Sequence, residues 1–425
     1  MRALLGGPFL RNVATLMSGT AVAQAVTVLS APLITRLYDP TAFGHYGLVL
    51  AIAAPVAIIA SLRYELAIVL PASDDEAADL LALSLGLALV VPLLVALGLV
   101  AFGDQIARAV GDESIRPLLW WVPIIVALSG VFQSASYWYI RRERFKHLAL
   151  TTTGKAVATF GVQAAAGFGG GAAMGLVVGH VVGLATGVLA LWTRVVHRDL
   201  SHTLRQIRVS SIVAAARTHA RFPAYSAPQA LVNALSRNAP LLVLGSFFGP
   251  ALVGHYLLAH RVLKMPITLL GNAFRQVFYP RAVAVARDGA LGTLVSRVTL
   301  ALGIAVFVPG VLLSLWAPAA FAFVFGDGWE QAGVYAQALG VWLMSGLVAA
   351  PSVVAVNVLS LQRMHAVIET VSLVARVAAL VVGGMIGDDV LTIRSFALVG
   401  LLSNALVIIV VLVRCRRADV GTGAA

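Results

Sequence analysis

The sequence predicts an all-α integral membrane fold, with about twelve transmembrane helices in two six-helix lobes related by a parallel repeat. Three observations carry that prediction: the composition, the spacing of the apolar runs, and a short motif that occurs twice. Of 425 residues, 60% are hydrophobic and only 11% are charged, and mean hydropathy is +0.93. A soluble domain carries about 25% charged residues. The apolar residues are spread along the whole chain, and at about 20 residues per crossing they leave no room for a large soluble domain.

Apolar runs bounded by charges or turn residues set the helices in order: 13–35, 44–70, 78–102, 117–140, 148–168, 172–193, 222–247, 252–279, 293–317, 332–358, 364–386 and 393–414. The short segment Met1 to Arg11 lacks a cleavage site, so the first helix is read as retained. The fifth run ends in Gly167-Phe168-Gly169-Gly170-Gly171, a tight turn into the sixth. Gly175, Gly179 and Gly183 give the sixth a small-residue face suited to close helix packing. The basic stretch 196–221 then links a lobe at 1–195 to a lobe at 222–425. It has no pattern able to bury a core and suits a short amphipathic helix on the membrane surface.

The motif that supports two halves is Pro40-Thr41-Ala42-Phe43-Gly44-His45-Tyr46. It recurs half a chain later as Pro250-Ala251-Leu252-Val253-Gly254-His255-Tyr256, with Pro, Gly, His and Tyr at the same spacing. Each copy is read as the outer loop between the first and second helix of its half. An even number of crossings then separates them, and the repeats run parallel.

Charge sets the orientation and excludes several classes. The net charge of +12 gathers in alternate connections, at Arg141, Arg142, Arg144 and Lys146, and again at Arg194, Arg198, Arg205, Arg208 and Arg217. The opposite loops hold only Arg36, Arg108, Arg116 and Arg394. Cationic loops face the cytoplasm, which puts both termini there and explains the basic balance without nucleic acid. The single cysteine, Cys415, allows no disulfide framework or thiolate metal site. The histidines show no metal-ligand spacing, and there is no phosphate loop, zinc motif or nucleophile elbow. The sequence therefore predicts no catalytic residue, no metal, and no cofactor beyond a coupling ion.

The informative residues are polar ones at membrane depth. In the eighth helix Arg261, Lys264, Thr268, Asn272 and Arg275 fall within an arc of about 80°, at about 100° per residue. A central Arg or Lys costs roughly 2.5–3.5 kcal/mol on the insertion scale, whereas each Leu, Ile or Phe returns only about 0.3–0.6. Three such cations cannot all face lipid, although Arg275, near the helix end, can snorkel. In the seventh helix Ser226, Gln229, Asn233, Ser236 and Arg237 form a stripe about 100° wide, and Pro228 is expected to kink it. Neither helix contains an acid. The two stripes predict one wall of a water-filled cationic cavity, with interhelical hydrogen bonding an equal alternative for the Ser, Asn and Gln residues.

The first half is less cationic. Thr20, Gln24, Thr27 and Thr35 share an arc of the first helix, and Lys155 lies in the fifth. Arg63 and Glu65, in the inner third of the second helix, point to different faces at helical spacing. Glu369 and Arg376 share a face of the eleventh helix two turns apart, suited to a water bridge, to ion coupling or to a static role. Asp74, Asp75, Glu76 and Asp79 cap a helix start.

Ser18-Gly19-Thr20, Gln24, Ala31-Pro32-Leu33-Ile34-Thr35-Arg36-Leu37-Tyr38-Asp39-Pro40 and Phe43-Gly44 resemble the opening of lipopolysaccharide and O-antigen translocases. These form the polysaccharide branch of the multidrug/oligosaccharidyl-lipid/polysaccharide (MOP) flippase superfamily. Arg63-Tyr64-Glu65-Leu66-Ala67-Ile68-Val69-Leu70-Pro71, Phe222-Pro223 with Ser226, and Val277-Phe278-Tyr279-Pro280-Arg281 are similar to further hallmarks. The resemblance implies two MATE-like lobes around a cationic cavity, alternating access, and a bacterial inner (cytoplasmic) membrane location. It implies an undecaprenyl-pyrophosphate-linked oligosaccharide as substrate, moved to the periplasmic leaflet, with membrane lipids and other glycan-assembly proteins as partners.

On that reading Arg237, Arg261 and Lys264 hold the pyrophosphate and Arg63 and Arg275 attract it at the inner mouth. Gln24, Gln229, Asn233 and Asn272 suit the sugars, and Glu65 and Glu369 are the candidates for coupling to H+ or Na+. The alternatives are a peptidoglycan-precursor flippase or a cation-coupled small-molecule exporter of the same superfamily. A cationic-drug exporter needs an anionic cavity, which the basic stripe opposes. A membrane polymerase or ligase needs a large external loop, and the longest outer loop here runs only from about Gly103 to Arg116. An uncoupled channel or structural subunit is the remaining alternative.

Overall fold

The structure, a computed structural model, describes residues 19–195 and 208–422. The start of the first predicted helix and half of the predicted linker, including Arg198 and Arg205, lie outside the described residues. Every predicted apolar run overlaps a helix. The first half contains α1 (Gly19–Leu37), α2 (Pro40–Ala57), α3 (Asp74–Ala109), α4 (Trp121–Arg141), α5 (Phe145–Phe168), α6 (Ala173–Val195) and the short α7 (Val209–Thr218). There follow α8 (Ala227–Phe248), α9 (Pro250–Arg287), α10 (Leu291–Phe325), α11 (Glu330–Val348), α12 (Ala350–Val358), α13 (Gln362–Ile386) and α14 (Asp389–Thr422).

Among the described residues, eight helices are long and apolar enough to cross a membrane, or nine if the bent pair Glu113–Leu119 and Trp121–Arg141 is one span. The chain is therefore an all-α, multi-pass membrane protein, and a count of twelve crossings does not follow from length and apolarity. The helices that fall short include α5, α8 and α9, which carry Lys155 and the two polar stripes. The residues that suggest function are the ones that spoil the apolar signal.

By contact the chain divides into two compact units, Met1–Val253 and Gly254–Ala425, so α8 clusters with the first. The core of the first unit is built from Tyr64, Ile68, Leu80, Leu81, Trp138, Tyr139 and Leu191. Gly179 and Gly183 leave no room for a Cβ against Gln163 and Thr159 of α5, the close packing expected of this face. In the second unit Phe278, Leu291, Val295, Val354, Val407 and Val411 form the core. There Asp419 accepts the Leu291 and Gly292 N–H groups at 3.1 and 2.8 Å, capping α10.

Several expectations are corrected. The repeated motif opens helices instead of occupying loops. Pro40 is the first residue of α2 behind the N-cap Asp39, which accepts from Ala42 N at 2.7 Å, and Pro250 opens α9. Proline fits there because the first helical N–H has no partner anyway. The predicted outer loop from Gly103 to Arg116 is mostly helix, since α3 runs on to Ala109. The second predicted helix, 44–70, ends at Ala57. The chain then passes through Leu62 and Arg63, both at positive φ (48° and 66°), into a 3-10 turn at Tyr64–Val69. Non-glycine residues there cost of order 1–3 kcal/mol each. Arg141 holds the segment beyond them through the carbonyls of Ile68, Pro71 and Ser73 at 3.3, 2.7 and 3.1 Å.

The acidic cluster also does more than cap. Ser73 is the N-cap of α3, while Asp74 pairs with Arg141 and Arg142, both at 3.0 Å. Glu76 meets His219 at 3.3 Å, and Asp79 accepts from Ser211 at 2.9 Å. These contacts fasten α7, the described part of the linker, to the start of α3.

Candidate functional site

The eighth predicted helix is realised as α9, 38 residues long. Arg261, Lys264, Thr268, Asn272 and Arg275 are all exposed. Leu263, Gly271, Phe278 and Ala282 are buried on one side of the helix, and the apolar residues Pro266, Leu269, Leu270, Ala273 and Val277 are exposed on another. The exposed part of α9 thus has two sectors of opposite chemistry at helical spacing. Lipid can accept the apolar sector, and only water or an anion can accept the cationic one.

The stripe is locally ordered. Thr268 donates to the Lys264 carbonyl at 2.8 Å, and Arg275 donates to the Asn272 side-chain oxygen. Arg261 has no carboxylate partner among the described residues. The unbroken run from Leu200 to Arg287 contains no Asp or Glu, so any acid that meets its cations comes from another part of the chain. That absence is plain in the sequence and extends well beyond the two stripes.

In the seventh predicted helix, α8, Gln229, Asn233 and Arg237 are exposed and Ser236 is half-buried, while Ala227, Ala234 and Pro240 are buried. Ser236 is turned back to its own helix, donating to the Val232 carbonyl at 2.8 Å. The expected kink at Pro228 takes another form. A five-residue π-turn at Phe222–Ser226 precedes α8, and Pro228 sits in its first turn. Pro228 has no N–H to offer the preceding turn, so the widened register falls where a donor is missing.

The sites proposed in the first half divide. Gln24 and Thr20 are exposed on α1; Thr27 is half-buried and bonds back to Ala23, and Thr35 is buried, so the predicted stripe does not run the length of that helix. Arg63 and Glu65 do pair, at 3.2 Å, contrary to the expectation from helical spacing. The reason is the broken helix: in the left-handed and 3-10 backbone, residues two apart no longer diverge by the helical angle. Glu65 is 0% exposed and also accepts from Ser61 at 2.5 Å. Lys155 lies with its ammonium 4.8 Å from the Phe132 ring. In the second unit, Glu369 meets Arg376 at 3.8 Å and His365 at 4.0 Å, so the expected bridge is direct. Arg376 also stacks over Trp342, 5.5 Å from the ring centre.

The fold is similar to that of several solved membrane transporters. An inward-facing multidrug resistance MATE family transporter of the MOP superfamily is similar with a TM-score of 0.66 at 15% identity, over 96% of this chain and 99% of that one. Lipid II flippase MurJ in an inward closed conformation gives 0.70 at 10% identity, over 95% and 90%. A MOP superfamily transporter from Pyrococcus furiosus, described as having a binding pocket of reverse polarity, gives 0.57 at 15% identity, over 99% and 98%. Identities this low show likeness of fold alone. No curated protein sequence matches significantly. The model of a family described as "Polysaccharide biosynthesis protein" matches residues 33–334. The chain belongs to that family.

Proposed function

We propose that this protein is a flippase that carries an undecaprenyl-pyrophosphate-linked oligosaccharide from the cytoplasmic to the periplasmic leaflet of a bacterial inner membrane. The observation that carries the reading is the cationic sector of α9, where Arg261, Lys264 and Arg275 are exposed beside a separate exposed apolar sector. A pyrophosphate carries several negative charges, and fixed guanidinium groups meet its oxygens through charge-assisted, bidentate hydrogen bonds. Asn272, on the same arc of α9, supplies a neutral donor and acceptor for a sugar.

Arg63 stands outside this set, because its partner is the buried Glu65. Glu369, exposed and paired only loosely with Arg376, is the better candidate for coupling to H+ or Na+. Transport would proceed by alternating access, with both termini cytoplasmic. Membership of a polysaccharide biosynthesis family supports a glycan cargo. A peptidoglycan-precursor flippase would use the same phosphate chemistry, and complementation of strains lacking each activity separates the two.

The test is glycan export in cells lacking the chromosomal copy. Arg261→Ala and Lys264→Ala are expected to reach the membrane folded yet reduce export at least tenfold, whereas Arg261→Lys retains part of it. Export at the unmodified level by both alanine variants would refute the assignment.

A further inference from the structure

We infer that the outward face of α7 binds a bilayer surface of anionic phospholipid headgroups. The inference holds whatever cargo the protein carries. It begins with how completely the opposite face is fixed. Ser211 bonds Asp79 at 2.9 Å, Ala215 is buried in the core of the first unit, Tyr64 donates to the Ala216 carbonyl at 3.0 Å, and His219 meets Glu76 at 3.3 Å. With both ends fastened, α7 cannot roll, and its other face is committed to whatever surrounds it.

That other face combines two chemistries. Val209 is 79% exposed and Val213 43%, and Tyr225 just beyond is 74% exposed. Arg217 in α7, and Arg208 and Arg221 just before and just after it in the chain, are exposed and make no ion pair among the described residues. Of the acids at the start of α3, Asp74 is engaged by Arg141 and Arg142, Glu76 by His219 and Asp79 by Ser211, and Asp75 is exposed. No acid occurs in the chain from Leu200 to Arg287. An apolar strip flanked by arginines and an aromatic ring matches the boundary between acyl chains and headgroups. There the valines enter the acyl edge and the guanidinium groups take the phosphates. Phosphatidylglycerol and similar lipids supply the complementary charge, and the attraction falls off within a Debye length.

The full chain makes the test clean, because its only cysteine, Cys415, is fully buried. Val213→Cys is labelled with a polarity-sensitive fluorophore and the protein is reconstituted in nanodiscs of phosphatidylcholine alone or with one-third phosphatidylglycerol. Spin-labelled lipid and aqueous iodide are the quenchers. In the mixed membrane, lipid quenching is expected to rise and iodide quenching to fall several-fold. Arg217→Gln with Arg221→Gln should return both to the phosphatidylcholine values, with thermal unfolding unchanged. Equal lipid quenching in the two membranes would overturn the inference by leaving an apolar anchor with no preference for anionic headgroups. Persistent iodide access in both would overturn it by placing α7 in water, free for an acidic protein partner.

Discussion

In the first unit, His45 of α2 lies 2.6 Å from the carboxylate of Asp112 and 3.1 Å from the Ser114 hydroxyl. In the second, His255 holds the same place in the repeated motif, but its neighbours are the rings of Trp329 and Tyr335, 5.6 and 6.3 Å away. Its Nδ1 is buried without a hydrogen-bond partner, and Tyr335 gives its own hydroxyl to Asp389. One copy therefore ends in a polar clasp and the other in an aromatic nest.

The contrast extends to the charges of the two units. The first pairs Arg63 with Glu65, Arg116 with Asp104, and Arg141 and Arg142 with Asp74. In the second, Arg376 pairs loosely with Glu369, but Arg261 has no carboxylate partner among the described residues and Arg275 donates to the neutral amide of Asn272. Charges bound to each other hold structure, and charges left exposed on one helical arc are available to a ligand.

Several substitutions would break or sharpen that contrast. The largest effect is expected at Glu65→Ala, which strands Arg63 and Ser61. Removing one partner of a buried pair costs about 3–5 kcal/mol, with the lower end apt because Arg63 is partly exposed. Thermal unfolding in detergent should drop sharply, while Arg261→Ala stays within about 0.5 kcal/mol of the unmodified protein. Equal destabilisation by the two would erase the distinction between structural and available cations.

A smaller effect is expected from exchanging the histidines for phenylalanine. His45→Phe should lose about 1–3 kcal/mol by leaving Asp112 without its partner. His255→Phe should be near neutral or stabilising, since an apolar ring replaces one with an unpartnered nitrogen. The smallest effect is pH-dependent. Burial raises the Asp112 carboxyl, but hydrogen bonds from His45 and Ser114 outweigh it and hold the group below its ordinary value. Its stabilisation is present above the unfolded value of about 3.9 and is lost as pH falls through the lower folded value. Acidification below pH of about 4 should therefore shift the melting temperature of the native chain more than that of Asp112→Asn.

How far the residues alone could be read depended on whether a local rule was enough. The cationic arc of α9 was legible because an uninterrupted helix fixes the angle between residues. The pairing of Arg63 with Glu65 was not, because the same angular rule fails once Leu62 and Arg63 adopt left-handed backbone. The kink expected at Pro228 was displaced into a π-turn for a related reason, since proline states that a donor is missing and not how the chain repairs the loss. The partners of Asp74, Glu76 and Asp79 come from α4 and the linker, far away in sequence.

Composition and periodicity by themselves determined the solvent, the order of the helices and the faces carrying polar residues, because hydrophobic partition and helical geometry act on neighbours in the chain. Only tertiary structure decided which charges are paired and which stay exposed. An ion pair needs two groups within a few ångströms, and that proximity is made by packing between elements that no short window of sequence contains.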